Sequence, residues 1–259
     1  MEKLNHLLEI MSRLRDPEHG CPWDLKQTFL SLTSCTVEEA YEVRDAIQRQ
    51  DFDELKSELG DLLFQVVFYA QLAREQNLYD FSDIVSSLSD KLIRRHPHVF
   101  EENVTMDESA VQEQWDRIKS TERASVARHS SVLDDIPAVL PALIRAQKIQ
   151  NRVSRYGFDW PDVTSVISKV EEELEEVRQA LRENDTQAVA EELGDLMFSC
   201  VNLIRFTGNN AEQQMADANF KFEKRFRALE ELLQQQSLNL DEVSVGQLEL
   251  LWQQVKENE

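Results

Sequence analysis

Glu172-Glu-Leu-Glu-Glu176 and, after a fifteen-residue gap, Glu192-Leu-Gly-Asp195 hold the residues best placed to do chemistry. Residues three or four apart share a helix face, so Glu173 with Glu176 and Glu192 with Asp195 each make an acidic pair. Val170, Leu174, Val177 and Leu181 on the first segment, and Leu193, Leu196 and Val201 on the second, are expected to bury other sides. An antiparallel hairpin of two such helices turns the acidic pairs toward each other. Two carboxylates about 4 Å apart repel by roughly 4 kcal/mol at an effective dielectric near 20, so four in one cleft need a cation or protons. Oxygen donors without Cys or His favour Mg²⁺ or Mn²⁺ over zinc.

A lone E-x-x-E is ordinarily a solvated helix face. Here the pattern occurs twice: adding 134 to Glu38, Glu39, Glu42, Glu58 and Asp61 lands on Glu172, Glu173, Glu176, Glu192 and Asp195. A solvated face has no reason to keep both the residue types and the sixteen-residue step from Glu42 to Glu58. The recurrence marks a site.

The elements that must position these groups are helices. Six glycines and six prolines in 259 residues, with abundant Leu, Glu, Gln, Ala and Arg, indicate an all-α protein long enough for two domains. A net charge of −21 argues against direct nucleic-acid binding or an anionic membrane surface. No run of eighteen apolar residues is present, and residues 1–15 read as a charged amphipathic helix, not a signal peptide. Three scattered cysteines do not suggest a disulfide framework, and a cytoplasmic location is expected.

Apolar spacing predicts a first helix over 3–15, followed by a break at Asp16-Pro-Glu-His-Gly-Cys-Pro-Trp-Asp24. Thr36 and Glu39 read as a capping box opening the first acidic helix, which should stop near Gln50. Asp51 or Asp53 should cap the next helix, over about 53–75, and another is expected over 80–95. His96 and His98 straddle Pro97 at a spacing that shares no helix face, which argues against zinc there. A surface-docked helix is expected over 107–122 and a linker over 123–137.

From there the chain starts again. Gly157-Phe-Asp-Trp160 echoes Gly20-Cys-Pro-Trp23, Lys221-Phe-Glu-Lys-Arg225 echoes Lys91-Leu-Ile-Arg-Arg95, and Trp252-Gln-Gln-Val-Lys256 echoes Trp115-Asp-Arg-Ile-Lys119. The expectation is a tandem duplication with domains at 1–122 and 138–259.

Lys221, Lys224 and Arg225, with Lys91, Arg94 and Arg95 in the first copy, either neutralise nearby carboxylates or hold a polyphosphate opposite a metal. No G-x-x-x-x-G-K-S/T loop is present, so a P-loop is ruled out. E-E-x-x-E, E-x-x-D and the downstream Asn219-Phe-Lys-Phe-Glu-Lys-Arg-Phe226, together with G-C-P-W-D and R-R-H-P-H-V-F, resemble MazG nucleoside triphosphate pyrophosphohydrolases over essentially the whole chain. The resemblance implies tandem helical-bundle domains of the all-α NTP pyrophosphatase type, with a four-helix-bundle core completed by homodimerisation. It also implies Mg²⁺-dependent hydrolysis of NTP to NMP and pyrophosphate, with broad NTP and dNTP specificity and a role in nucleotide-pool house-cleaning.

Carried onto this chain, the metal ligands are Glu173, Glu176, Glu192 and Asp195, with a second site at Glu39, Glu42, Glu58 and Asp61 served by Lys91 and Arg95. Glu172 and Glu191 are candidates to orient or deprotonate the attacking water. Lys169, Lys221, Lys224, Arg225 and Asn219 are candidates to hold phosphates, and Trp160 and Trp252 to stack on the base. Lys169 aligns with Cys35 and Asn219 with Ser89, so the C-terminal copy is expected to be the catalyst and the N-terminal copy weak or non-catalytic. A different expectation is a metal- and nucleotide-binding regulatory protein with little turnover; the intact cation set of the second copy favours the enzyme. Protein partners and the preferred base are not specified by these residues.

Overall fold

The apolar periodicity is realised as helices, and among the described residues there is no strand. The computed structural model describes residues 2–100, 107, 110–111, 114–115, 117–118, 121–122 and 131–258. Residues 123–130 of the expected linker, and much of the expected helix over 107–122, lie outside them. The chain divides into two units, Met1–Ser125 and Val126–Glu259.

The first unit contains α1 (Glu2–Leu14), α2 (Thr33–Arg49), α3 (Phe52–Glu75), α4 (Phe81–Arg95) and the short α5 (Pro97–Phe100). The second contains α6 (Ala142–Ser154), α7 (Val163–Glu183), α8 (Thr186–Phe206), α9 (Ala211–Gln235) and α10 (Val245–Glu257).

The acidic helices form the hairpins α2–α3 and α7–α8, and both turn in the same way. Gln50 at φ 57° and Asn184 at φ 56° end the leading helices in the left-handed region. The backbone N–H of the next residue then bonds back into the helix, Asp51 to the Ala46 carbonyl and Asp185 to the Ala180 carbonyl. Each of these aspartates also caps the returning helix: Asp51 accepts from the Glu54 N–H, and Asp185 from the N–H groups of Gln187 and Ala188. A two-residue turn permits only antiparallel neighbours, so it fixes which carboxylates meet.

The units differ in what packs against the returning helix. In the first, Met11 of α1, Leu32, and Val67, Phe68 and Leu72 of α3 form a closed apolar cluster. Arg15 seals its end, donating to both carboxylate oxygens of Glu75 at 2.8 and 2.6 Å and to the Asp24 carbonyl. In the second, the buried apolar cluster is Leu229, Leu233, Leu251 and Val255, between α9 and α10. Gln147 ties α6 to the α8–α9 turn, donating to the Asn209 carbonyl at 2.7 Å and accepting from the Ala211 N–H at 2.8 Å.

Two expectations are corrected. α2 begins at Thr33, a turn before Thr36, so Thr36 is not a cap; its hydroxyl bonds the Leu32 carbonyl at 3.0 Å and pairs with the Tyr69 hydroxyl at 2.8 Å. Val177 and Val201 are buried, but Leu174, Leu181 and Leu193 are exposed, with Leu181 at 58%. The hairpin therefore presents an apolar face that its own unit does not cover.

Arg15 is buried and Glu75 is its counter-ion, so Glu75→Gln leaves an uncompensated charge. We expect a loss of about 2–4 kcal/mol in urea unfolding at neutral pH. The Arg15 hydrogen bonds hold the Glu75 carboxyl below its ordinary 4.5. This contribution is therefore fully present above pH 4.5 and fades as pH falls through the lowered folded value. The Gln variant should lose that part of the acid sensitivity.

Candidate metal and nucleotide site

In the second unit, Glu173 and Glu176 from α7 and Glu192 from α8 bring one carboxylate oxygen each to within 4.8 Å of one another. In the first, Glu39 from α2 and Glu58 and Asp61 from α3 do the same. Each trio omits a different member of the expected four. Asp195 instead lines the cavity described below together with Glu173, and Glu42 lies close enough to Glu39 and Glu58 to act on both carboxyls.

The electrostatics follow from the crowding. Desolvation and then the neighbouring Glu42 push the carboxyls of Glu39 and Glu58 above their ordinary value. Desolvation and then Glu173 do so for Glu176, with Lys169 opposing and Glu192 and Glu172 adding. Lys169 lies 2.8 Å from both Glu172 and Glu173, and these two carboxylates raise its own pKa. The first unit has Cys35 at that position and so lacks this cation. An all-oxygen donor set of crowded carboxylates fits a hard divalent cation, whose charge would relieve the repulsion.

The second unit adds a cavity of about 470 Å³ beside its trio. Ile149, Gln150 and Val153 of α6, the loop Gly157–Trp160, Lys169 and Glu173 of α7, and Asp195, Phe198, Ser199, Asn202 and Arg205 of α8 form its wall. Arg205 forks onto both Asp159 oxygens, fastening the loop that carries Trp160 to α8. Trp160, Lys169, Glu173 and Asp195 are thus brought together as expected positions around one space.

Other expected residues lie elsewhere. None of the residues lining this cavity comes from α9 or α10. Lys221, Lys224 and Asn219 are exposed on α9, Arg225 is half-buried there, and Trp252 packs at 5.2 Å on Phe222 beside the α9–α10 cluster. Glu191 is exposed and accepts from Gln187 at 3.1 Å. In the first unit, Arg94 and Arg95 are both held by Glu122 at 2.6 Å, which drives the Glu122 carboxyl down to about 2.

Sequence reasoning missed Gln150, Asp159, Ser199, Asn202 and Arg205. Their signal was available in the 134 offset: Ser199, Asn202 and Arg205 correspond to Gln65, Phe68 and Gln71. Phe68 is fully buried, at 0% exposure, in the apolar cluster of the first unit. Where one unit packs an aromatic ring, the other lines a cavity with an amide.

An all-α protein of duplicated helical hairpins, each carrying a carboxylate cluster, is the class this architecture defines. A family model described as the MazG nucleotide pyrophosphohydrolase domain matches residues 27–100 and 162–229. A nucleoside triphosphate pyrophosphohydrolase of Escherichia coli (strain K12) is 52% identical over 100% of this chain and 99% of its own length. The nucleoside triphosphate pyrophosphohydrolase/pyrophosphatase MazG of Thermotoga maritima is 42% identical over 96% of this chain and 94% of its own length. The crystal structure of a mazG-related protein from Thermotoga maritima aligns with 45% of this chain and 98% of that one, at 27% identity and a TM-score of 0.39. The chain belongs to the MazG nucleotide pyrophosphohydrolase family.

The raised carboxyl of Glu176 gives a stability test. An acid whose folded pKa is raised costs stability as pH rises through the window between 4.5 and that raised value, so at neutral pH ionised Glu176 opposes folding. Glu176→Gln should therefore raise Tm in EDTA at pH 7 and shrink the Tm gain on adding Mg²⁺. Glu173→Gln should not raise Tm, because it removes a partner of Lys169. Differential scanning calorimetry of both variants checks this.

Proposed function

We propose that the chain hydrolyses nucleoside triphosphates to nucleoside monophosphate and pyrophosphate, with Mg²⁺ or Mn²⁺ as cofactor and its second unit as the catalyst. The observation that carries this reading is that Glu173 belongs both to the carboxylate trio and, with Asp195, to the wall of a cavity whose 470 Å³ falls within the usual range for small-ligand pockets. The activity for which the two relatives above are named supports it.

In this reading Glu173, Glu176, Glu192 and Asp195 hold the ion. When bound, the ion neutralises phosphate oxygens and acidifies water. Glu172, next to the ligand Glu173 and ion-paired to Lys169, orients or deprotonates the water that attacks the α-phosphorus; Glu191 is the second candidate. Lys169, at the cavity wall, neutralises and aligns the phosphates so that pyrophosphate departs in line, and Lys221, Lys224, Arg225 and Asn219, on α9 outside that wall, are the further candidates for the outer end of the polyphosphate. Trp160, at the cavity wall, packs against the nucleoside, and Trp252 is the further candidate for stacking.

The first unit, with Cys35 and Ser89 in place of Lys169 and Asn219 and with Phe68 filling the space, keeps its carboxylates as a weak or silent site. Its Arg94 and Arg95 are already paired with Glu122. The exposed apolar face of the hairpin, with Leu174, Leu181 and Met197, supports a homodimer that completes a four-helix core. Broad NTP and dNTP use, nucleotide-pool house-cleaning and a cytoplasmic setting complete the proposal; among the described residues no helix is long and apolar enough to cross a membrane.

Product analysis decides the bond cleaved. NMP with pyrophosphate is expected, and NDP with phosphate would overturn the α-phosphorus assignment. Glu173→Gln with Glu176→Gln should lower turnover by at least about a hundredfold, while Glu39→Gln with Glu42→Gln should leave most of it. Equal losses would contradict the asymmetry. Light scattering at micromolar concentration should give a dimer mass, and a monomer mass would defeat the shared core.

A further inference from the structure

We infer that Gln150 and Asn202 form a base-reading pair of fixed polarity in the cavity: Gln150 accepts a hydrogen bond from the nucleobase, and Asn202 donates one to it. The inference rests on the pyrophosphohydrolase reading of the same site and deepens it.

Both amides line the cavity, and both are oriented by hydrogen bonds made behind them. Gln150 Nε2 donates to the Phe198 carbonyl at 2.9 Å. Turning the amide over would set oxygen against oxygen, so the side-chain carbonyl must face the other way. Gln150 is 5% exposed, and its Oε1 is buried with no hydrogen-bond partner. A buried acceptor left without a donor is costly, and on a side chain that lines a cavity it points to a ligand that supplies one.

Asn202 is fixed from its other end. Its Oδ1 accepts from Arg205 Nε at 2.9 Å, and Arg205 is itself held by the fork onto Asp159. Reversing this amide would set N–H against N–H, so Nδ2 is the end left to donate. The two side chains line the same cavity. Phe198 and Asn202 are four apart on α8, so the carbonyl that Gln150 bonds lies one helical turn from Asn202.

An acceptor and a donor in one cavity, on a wall with Phe198, Trp160, Ile149 and Val153, complement the edge of a nucleobase, where a donor adjoins an acceptor. Adenine and cytosine offer an exocyclic amine next to a ring nitrogen. Guanine and uracil offer a carbonyl where that amine stands and a ring N–H where that nitrogen stands, which is the reverse order. The pair therefore favours the amino bases and discriminates against analogues that lack the donor. The first unit cannot do this, because Phe68 stands at the position of Asn202.

The test uses the full chain with Mg²⁺, comparing ATP with purine riboside triphosphate and CTP with pyrimidin-2-one riboside triphosphate. In each analogue a hydrogen replaces the exocyclic amine and no bulk is added. The wild type should favour the parent nucleotide in kcat/KM by about tenfold or more. Gln150→Leu should bring that ratio close to one. A purely structural role for Gln150 would lower parent and analogue by the same factor and leave the ratio unchanged.

Parent and analogue hydrolysed equally by the wild type would overturn the inference while leaving the pyrophosphohydrolase reading intact, whether or not the Leu variant folds. Absence of turnover with ATP and CTP would instead sink the hydrolase reading. The same parent-to-analogue comparison, made as affinities by Trp fluorescence titration, then supports the base pair if it discriminates and overturns it if it does not.

Discussion

The mutual repulsion of carboxylates at the centre of each hairpin is the constraint on which the rest of the structure depends. Glu173, Glu176 and Glu192 crowd to within 4.8 Å, and so do Glu39, Glu58 and Asp61. Folding must overcome that repulsion in a chain already carrying a net charge of −21. The two-residue turns, with their left-handed Gln50 or Asn184 and capping Asp51 or Asp185, hold the helices in register against it. Lys169 supplies a partial internal counter-ion in one unit, and the other unit has none at that position.

Two copies built on the same hairpin have diverged in how the space beside it is used. The first closes it with Phe68, Met11 and Leu72 and locks the end with Arg15 and Glu75. The second leaves about 470 Å³ lined partly by amides, and holds it open with the Arg205–Asp159 fork and the Gln150 bond to α8. A packed aromatic contributes stability, whereas a cavity with an unpartnered acceptor costs it, as expected where function outweighs packing. Retention of the acidic residues in both copies therefore does not imply equal work.

Much of this was legible in the sequence because it is periodic. The 134-residue recurrence exposed the hairpins, and turn chemistry at Gln50-Asp51 placed the turn of the first to within a residue or two. The cavity was not legible, because its wall joins segments near 150, 159 and 198–205 that only tertiary packing brings together. Asn202 and Arg205 read as interruptions of an apolar stretch until their partners are seen. Thr36 misled because α2 starts at Thr33 with no capping side chain, and Leu174 and Leu181 misled because helical spacing marks an apolar face without saying what covers it.

Crystals grown with Mn²⁺ and a non-hydrolysable NTP analogue, measured at the manganese absorption edge, test the central claim most directly. The expected result is an anomalous peak among Glu173, Glu176 and Glu192, with the base of the analogue in the cavity bounded by Gln150, Trp160 and Asn202. A saturated crystal with no manganese at that cluster, or with the nucleotide bound in the first unit instead, would contradict it.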